Sequence, residues 1–192
     1  MPREVFGPGY TFVPRDELLT LEEIARIAQV FAMAGMRKVR ITGGEPMIRR
    51  NLEHLIEMLD AIDGVEDISM TTNGSMLTLG RAQDLKRMGL KRLTVSLDAL
   101  DDETFKRIND VDYPASRVLD GIENARAAGF TGIKINAVAR RGFNEHAVLP
   151  LAEHFRGTDC IVRFIEFMDV GETNGWNMKD VIPARELVRQ ID

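Results

Sequence analysis

The sequence has almost no cysteine, few histidines, no excess of basic charge and no long apolar run. Each shortage removes a class of protein. Cys160 is the single cysteine in 192 residues, so no internal disulfide forms. A disulfide-stapled secreted scaffold is excluded; the neighbours of Cys160 in DCIVRF read as a buried strand, and a structural thiol in a reducing compartment is expected. The three histidines, His54, His146 and His154, lack ligand spacing, so no zinc site is expected. Net charge is −5, which argues against a nucleic-acid partner. No apolar stretch approaches the ~18 residues of a membrane span, and the opening residues do not read as a signal peptide. A cytoplasmic protein without a membrane role is the expectation.

The hydrophobic share of 44% and charged share of 29% suit one globular domain with a sizeable core. Residues 1–20, MPREVFGPGYTFVPRDELLT, mix Pro, Gly and charge without a period, and read as loop. Regular organisation follows. Gly35, Gly64, Gly89, Gly129 and Gly157 each close a helical stretch and lead into a β-branched run. Thr20 and Glu23 fit a capping box ahead of an apolar stripe of Ile24, Ile27, Ala28 and Phe31. Further helices are expected near 51–63, 78–88, 116–128 and 145–156, with another beginning near Pro183. Alternating helix and strand imply a parallel sheet with helices outside.

The expected strands carry polar residues at alternate positions: Arg40 and Thr42; Thr94, Ser96 and Asp98; Lys134 and Asn136. Arg163 and Glu166 fall on opposite faces of theirs. An open doubly wound sheet has near-continuous apolar strands, whereas a polar face on many strands suits a concave interior that holds a polar ligand. The fold class is therefore α/β, an incomplete (βα) TIM-like barrel. About five parallel strands are present and a first strand is missing upstream, which leaves MRKVRIT as an exposed sheet edge.

The stretch ITGGEPMIRR, residues 41–50, carries the sharpest local signal. Gly43 and Gly44 at a strand exit let a backbone approach a ligand and offer its N–H and C=O groups. Glu45 can pair with a ligand ammonium, and Pro46 fixes the exit. A plain Gly-Gly turn with a helix-capping acid explains the same residues, because GGEP lacks phosphate-loop spacing. Arg49 and Arg50 read as solvated charges.

GGEP after a strand, TTNG at 71–74, SLDALDDETFKRIN at 96–109 and RFIEFMDVGETNGW at 163–176 together resemble the radical S-adenosylmethionine (SAM) superfamily. Within it they resemble the GTP 3′,8-cyclase family of molybdenum cofactor biosynthesis. The resemblance runs from residue 1 to 192 and makes the chain a partial radical SAM core domain. It implies S-adenosylmethionine and [4Fe-4S] clusters as cofactors and GTP as substrate. The intact family forms a 5′-deoxyadenosyl radical, which abstracts hydrogen from C3′ of GTP so that C3′ joins C8 of guanine. The resemblance also allows a homodimer and a downstream partner in the cyclic pyranopterin step.

Residue by residue, the resemblance implies S-adenosylmethionine contacts at Gly44, Glu45, Ser96 and Met168, and GTP contacts at Arg40, Thr71 and Lys134. It supplies no catalytic side chain and no metal ligand here. The family's CxxxCxxC loop ends in Met-Pro, and Met1-Pro2 open this chain, so that loop is expected just upstream. The second cluster's cysteines are expected beyond Asp192. Thiolates hold such clusters, and Cys160 matches neither set. A non-catalytic remnant that binds a nucleotide or S-adenosylmethionine is the alternative. Plainer roles stay open for single residues. Arg40 and Lys134 can pair internally with Glu166 or Asp98. Thr71, Thr72 and Asn73 can cap the next helix. Ser96 can be an ordinary small residue, and Met168 can be core.

Overall fold

The computed structural model describes residues 13, 14, 17–170 and 175–192. Most of the loop expected over 1–20, and residues 171–174 of the string ending in NGW, lie outside the described residues. Five parallel strands form one sheet in the order β1 (Lys38–Ile41), β2 (Asp67–Thr72), β3 (Arg92–Ser96), β4 (Lys134–Ala139) and β5 (Ile161–Glu166). Sequential order with parallel pairing requires a crossover between each pair, and helices supply it. These are α1 (Leu21–Met33) before the sheet, then α2 (Leu52–Asp60), α3 (Leu79–Arg87), α4 (Asp102–Asn109), α5 (Ala115–Ala127), α6 (Val148–Phe155) and α7 (Ala184–Ile191).

The expected helix signals are realised as hydrogen bonds. Thr20 Oγ1 accepts from Glu23 N, and Glu23 Oε2 accepts from Thr20 N at 2.8 Å, which completes the capping box of α1. At its other end, Met36 N reaches Phe31 O and Gly35 N reaches Ala32 O, both at 2.9 Å. This Schellman closure needs the left-handed backbone that Gly35 adopts at φ 100°. Gly64 departs from the pattern. Helix α2 stops at Asp60, and two further turns intervene before the strand, so Gly64 is a loop glycine and not a helix cap. Helix α4 was not among the expected helices. Asp101 starts it by accepting from Thr104 N at 2.8 Å, inside the long interval between Gly89 and Gly129.

The strands divide their side chains by parity. Ile68, Met70, Leu93, Val95, Ile135 and Ala137 face the helices and are buried with Leu55, Leu85, Ile122 and Leu151 in one core. Burying side chains of this size contributes about 1.5–3 kcal/mol each. Both β1 and β5 are edge strands. Among the described residues β1 has a neighbour on one side only, and Ile27, Val30 and Phe31 of α1 are exposed. Strand β5 was expected to be buried. It is only half-buried, because an edge strand has a neighbour on one side, and Ile161 is 49% exposed. Cys160 lies one residue before β5, half-buried, with burial pushing its thiol up in pKa.

Candidate functional site

The opposite sheet face is polar, and its register makes three rows. Arg40, Ser69 and Arg92 pair across β1, β2 and β3. Thr71, Thr94 and Lys134 pair across β2, β3 and β4. Ser96, Asn136 and Arg163 pair across β3, β4 and β5. Successive rows lie about 6.6 Å apart along the strands. Four of the seven expected site residues, Arg40, Thr71, Ser96 and Lys134, therefore share this face. The row nearest the N-terminal ends is closed by charge pairing. Arg92 donates to Asp67, and that hydrogen bond holds the Asp67 carboxyl below the usual carboxylate range. Arg40, in the same row as Arg92, helps to lower the Asp67 carboxyl through its charge without forming an ion pair with it, and Lys134 and Arg163 stand in the two rows above. Among the described residues no ion pair includes Arg40, Lys134 or Arg163.

The internal pairing considered for Arg40 and Lys134 is corrected by where the acids go. Asp98 is buried and accepts from Val138 N at 2.7 Å, tying the β3 exit to β4, and burial raises its carboxyl pKa. Glu166 accepts from Ala184 N at the start of α7. Both carboxylates serve backbone amides.

The strand exits carry the other expected residues. Gly43 and Gly44 follow β1, and a Cβ on either would meet nothing within 4 Å. Their backbone faces open space, and Gly43 uses φ 148°, where glycine is favoured. Met168 follows β5 at the same end of the sheet and is 54% exposed, so it is not core. Phe167, next to it, is clamped: Trp176 Nε1 donates to its carbonyl at 3.0 Å, and the Arg140 guanidinium sits 4.6 Å from its ring.

Glu45 does more than the sequence indicated. Its carboxylate accepts from Thr72 Oγ1 at 2.7 Å, Asn73 N at 2.7 Å and Met47 N at 3.0 Å. Three of about four acceptor directions are thus taken. The helix-capping alternative for TTN is corrected. Thr78 caps α3, while Asn73 Oδ1 accepts from Ser75 N and Thr72 Oγ1 from Gly74 N within the loop. Sequence reasoning also passed over Arg163 as a member of the site. Its parity with Ile161 and Ile165 was readable, but its place beside Asn136 was not.

No group of three or more His, Cys, Asp or Glu able to hold a metal occurs among the described residues. Cys160 stands at the N-terminal end of β5, about 20 Å along the strand from the glycine end. A [4Fe-4S] cluster therefore does not fit the thiols of this chain.

The superfamily profile of radical SAM proteins matches residues 6–155. The chain belongs to the radical SAM superfamily. As a radical SAM chain it is 53% identical over 191 residues to the GTP 3′,8-cyclase of Acidothermus cellulolyticus, covering all of this chain and 52% of that protein. It is 46% identical over 192 residues to the GTP 3′,8-cyclase of Staphylococcus epidermidis, covering 56% of it. The chain thus spans about half the length of the curated relatives it matches. Among solved structures, SuiB of Streptococcus suis superposes with TM-score 0.71 at 18% identity, over 95% of this chain and 42% of SuiB. SuiB bound to S-adenosylmethionine gives 0.69 at 16% identity, over 95% of this chain and 41% of that one. These likenesses show the radical SAM fold, the partial parallel barrel expected from the strands. No helix among the described residues is long and apolar enough to cross a membrane.

Proposed function

We propose that this chain is the ligand-positioning centre of a GTP 3′,8-cyclase. The polar sheet face, on which Arg40, Lys134 and Arg163 enter no ion pair among the described residues, is the observation that supports this reading. Arg40 and Lys134 lie on one face in neighbouring rows, with Thr71 level with Lys134. Two cations and a hydroxyl suit a triphosphate and its ribose, each charge-assisted contact contributing roughly 1.5–3 kcal/mol. Arg163 adds a third cation one row above.

For S-adenosylmethionine, the open Gly43–Gly44 backbone offers carbonyls to the ammonium, and the remaining acceptor direction of Glu45 can join them. Ser96 supplies a hydroxyl on the same face, and Met168 an adaptable thioether beside a flat ring. When bound, S-adenosylmethionine supplies the adenosyl group that takes hydrogen from the substrate ribose. The residues of this chain bind the two ligands and hold them at reacting distance, a contribution through orientation.

The position of Cys160, away from the glycine end, favours a second reading for the chain by itself: it binds both organic ligands without turnover. Calorimetric titration with GTP and with S-adenosylmethionine tests the proposal. Saturable binding of both, weakened for GTP by Lys134→Ala and for S-adenosylmethionine by Gly44→Val, is expected. Binding of neither ligand overturns it.

A further inference from the structure

Two loops that carry different halves of the proposed site are joined by one carboxylate. Gly43 and Gly44, assigned above to S-adenosylmethionine, follow β1, and Thr71, assigned above to GTP, is the last residue but one of β2. Between them, Glu45 accepts from the hydroxyl of Thr72 and the amide of Asn73, each at 2.7 Å, while Met47 N holds the same carboxylate at 3.0 Å. Thr72 is 2% exposed and stands on the helix-facing side of β2, opposite to Thr71. Its hydroxyl cannot reach a ligand on the polar face. It does accept from Gly74 N at 3.1 Å, so one hydroxyl passes the tie onward into the loop. Gly74 in turn lies under α5, where a Cβ on Gly121 would come within 2.4 Å of the Gly74 carbonyl. The chain of contacts Gly74–Thr72–Glu45–Met47 therefore runs from a packed helix to the glycine turn.

We propose that Thr72 is a positioning residue. It latches Glu45 and so fixes the glycine turn of the S-adenosylmethionine half-site against Thr71 of the GTP half-site. This rests on the ligand assignments given under Proposed function. The physical reason is directional. Gly43 and Gly44 have no side chains, and among the described residues a Cβ on either would meet nothing within 4 Å, so no side-chain packing holds them. The carboxylate next to them is the nearest anchor, and three donors aim it. A half-buried acceptor that loses one donor keeps part of its desolvation cost, so the remaining bonds rearrange instead of persisting unchanged. Thr72→Val removes the donor at nearly constant volume, and Thr72→Ser restores it.

Backbone amide hydrogen exchange on the chain reads the latch without any ligand. Thr72→Val is expected to raise exchange at least tenfold at both Met47 and Asn73, although Met47 lies 25 positions away in sequence. Thr72→Ser returns both to the wild-type rate. A merely local role for Thr72 alters 72–75 alone, and that result overturns the proposal. Glu45→Ala provides a second route if Thr72→Val fails to fold. It removes both accepting oxygens, so the same two amides are expected to lose protection, and unchanged exchange overturns the latch. Calorimetry with S-adenosylmethionine and with GTP then reads coupling. Thr72→Val is expected to weaken both ligands roughly tenfold, with rescue by Thr72→Ser. If wild type binds neither ligand, the functional reading falls while the exchange result still decides the latch.

Discussion

Arg163 is held by Asn136: the guanidinium donates from Nε and Nη2 to the Asn136 side-chain oxygen at 2.9 and 2.7 Å. The two are directly paired across β4 and β5 in the row that contains Ser96. An amide oxygen orients a guanidinium without neutralising it. The positive charge stays available to an anion on the polar face. Asn136→Asp turns the contact into an ion pair at nearly constant shape. It is expected to weaken GTP roughly tenfold and to leave S-adenosylmethionine within about twofold. Equal affinities for GTP in calorimetry would remove Arg163 from the site.

Lys134 separates the two ligands in the same way. Lys134→Ala removes a cation of the middle row and is expected to weaken GTP by roughly 10- to 100-fold. S-adenosylmethionine, a cation itself, should change little. Parallel loss of both ligands would reject the assignment.

Two glycines in helices should respond with opposite sign. Gly80 lies in the exposed first turn of α3 with nothing near a built Cβ, so Gly80→Ala is expected to stabilise by about 0.5–1 kcal/mol. Gly121 in α5 has the same helix propensity to gain. A Cβ there would lie 2.4 Å from the Gly74 carbonyl, which is backbone. Overpacking of that kind costs about 1–3 kcal/mol and outweighs the propensity, so Gly121→Ala is expected to destabilise. Urea unfolding midpoints measure both, and stabilisation by Gly121→Ala would contradict the close approach.

Two carboxylates set opposite pH dependences. Burial raises the Asp98 pKa, so the folded state prefers its proton. Its contribution is fully present below the unfolded value and is lost as pH rises through the folded one. Asp98→Asn keeps an acceptor for Val138 N and is expected to gain stability relative to wild type as pH rises from acid to neutral. Asp67 runs the other way, its pKa lowered by the Arg92 hydrogen bond. Its contribution is present above the unfolded value and is lost as pH falls through the folded one. Asp67→Asn should therefore lose stability at neutral pH and approach wild type in acid. Urea titrations across that range check both slopes, and a pH-independent difference for either variant would refute its assignment.

Anaerobic reconstitution with iron and sulfide is expected to leave the chain without the broad visible absorption of a [4Fe-4S] cluster. Cys160→Ala should not alter the result. Stoichiometric iron retained by wild type and lost in Cys160→Ala would show that the thiol at the foot of β5 is a ligand.

Much of this was legible in one dimension. Period and punctuation are local properties, so Thr20 and Glu23 announced the start of α1, and Gly35, Gly89, Gly129 and Gly157 marked helix ends. Alternation along each strand separated a polar face from an apolar one, because successive side chains in a strand point to opposite sides. Those features pointed to the partial barrel and placed Arg40, Ser96 and Lys134 among its polar positions, while Thr71 came from the family resemblance alone.

Only the tertiary structure decided which of those positions stand beside one another. Lys134 is the first residue of its strand and Thr71 the fifth of its own, yet the stagger of parallel strands brings them level through Thr94. Register of that kind depends on how neighbouring strands slide to bury Ile68, Val95 and Ile135 together, which no single segment encodes. The carboxylates show the same division. Composition supplied Glu45, Asp98 and Glu166, but folding delivered each to backbone amides remote in sequence or across a loop. Hydrogen-bond partners are chosen by proximity in space, and among the described residues that choice left Lys134 and Arg163 outside any ion pair.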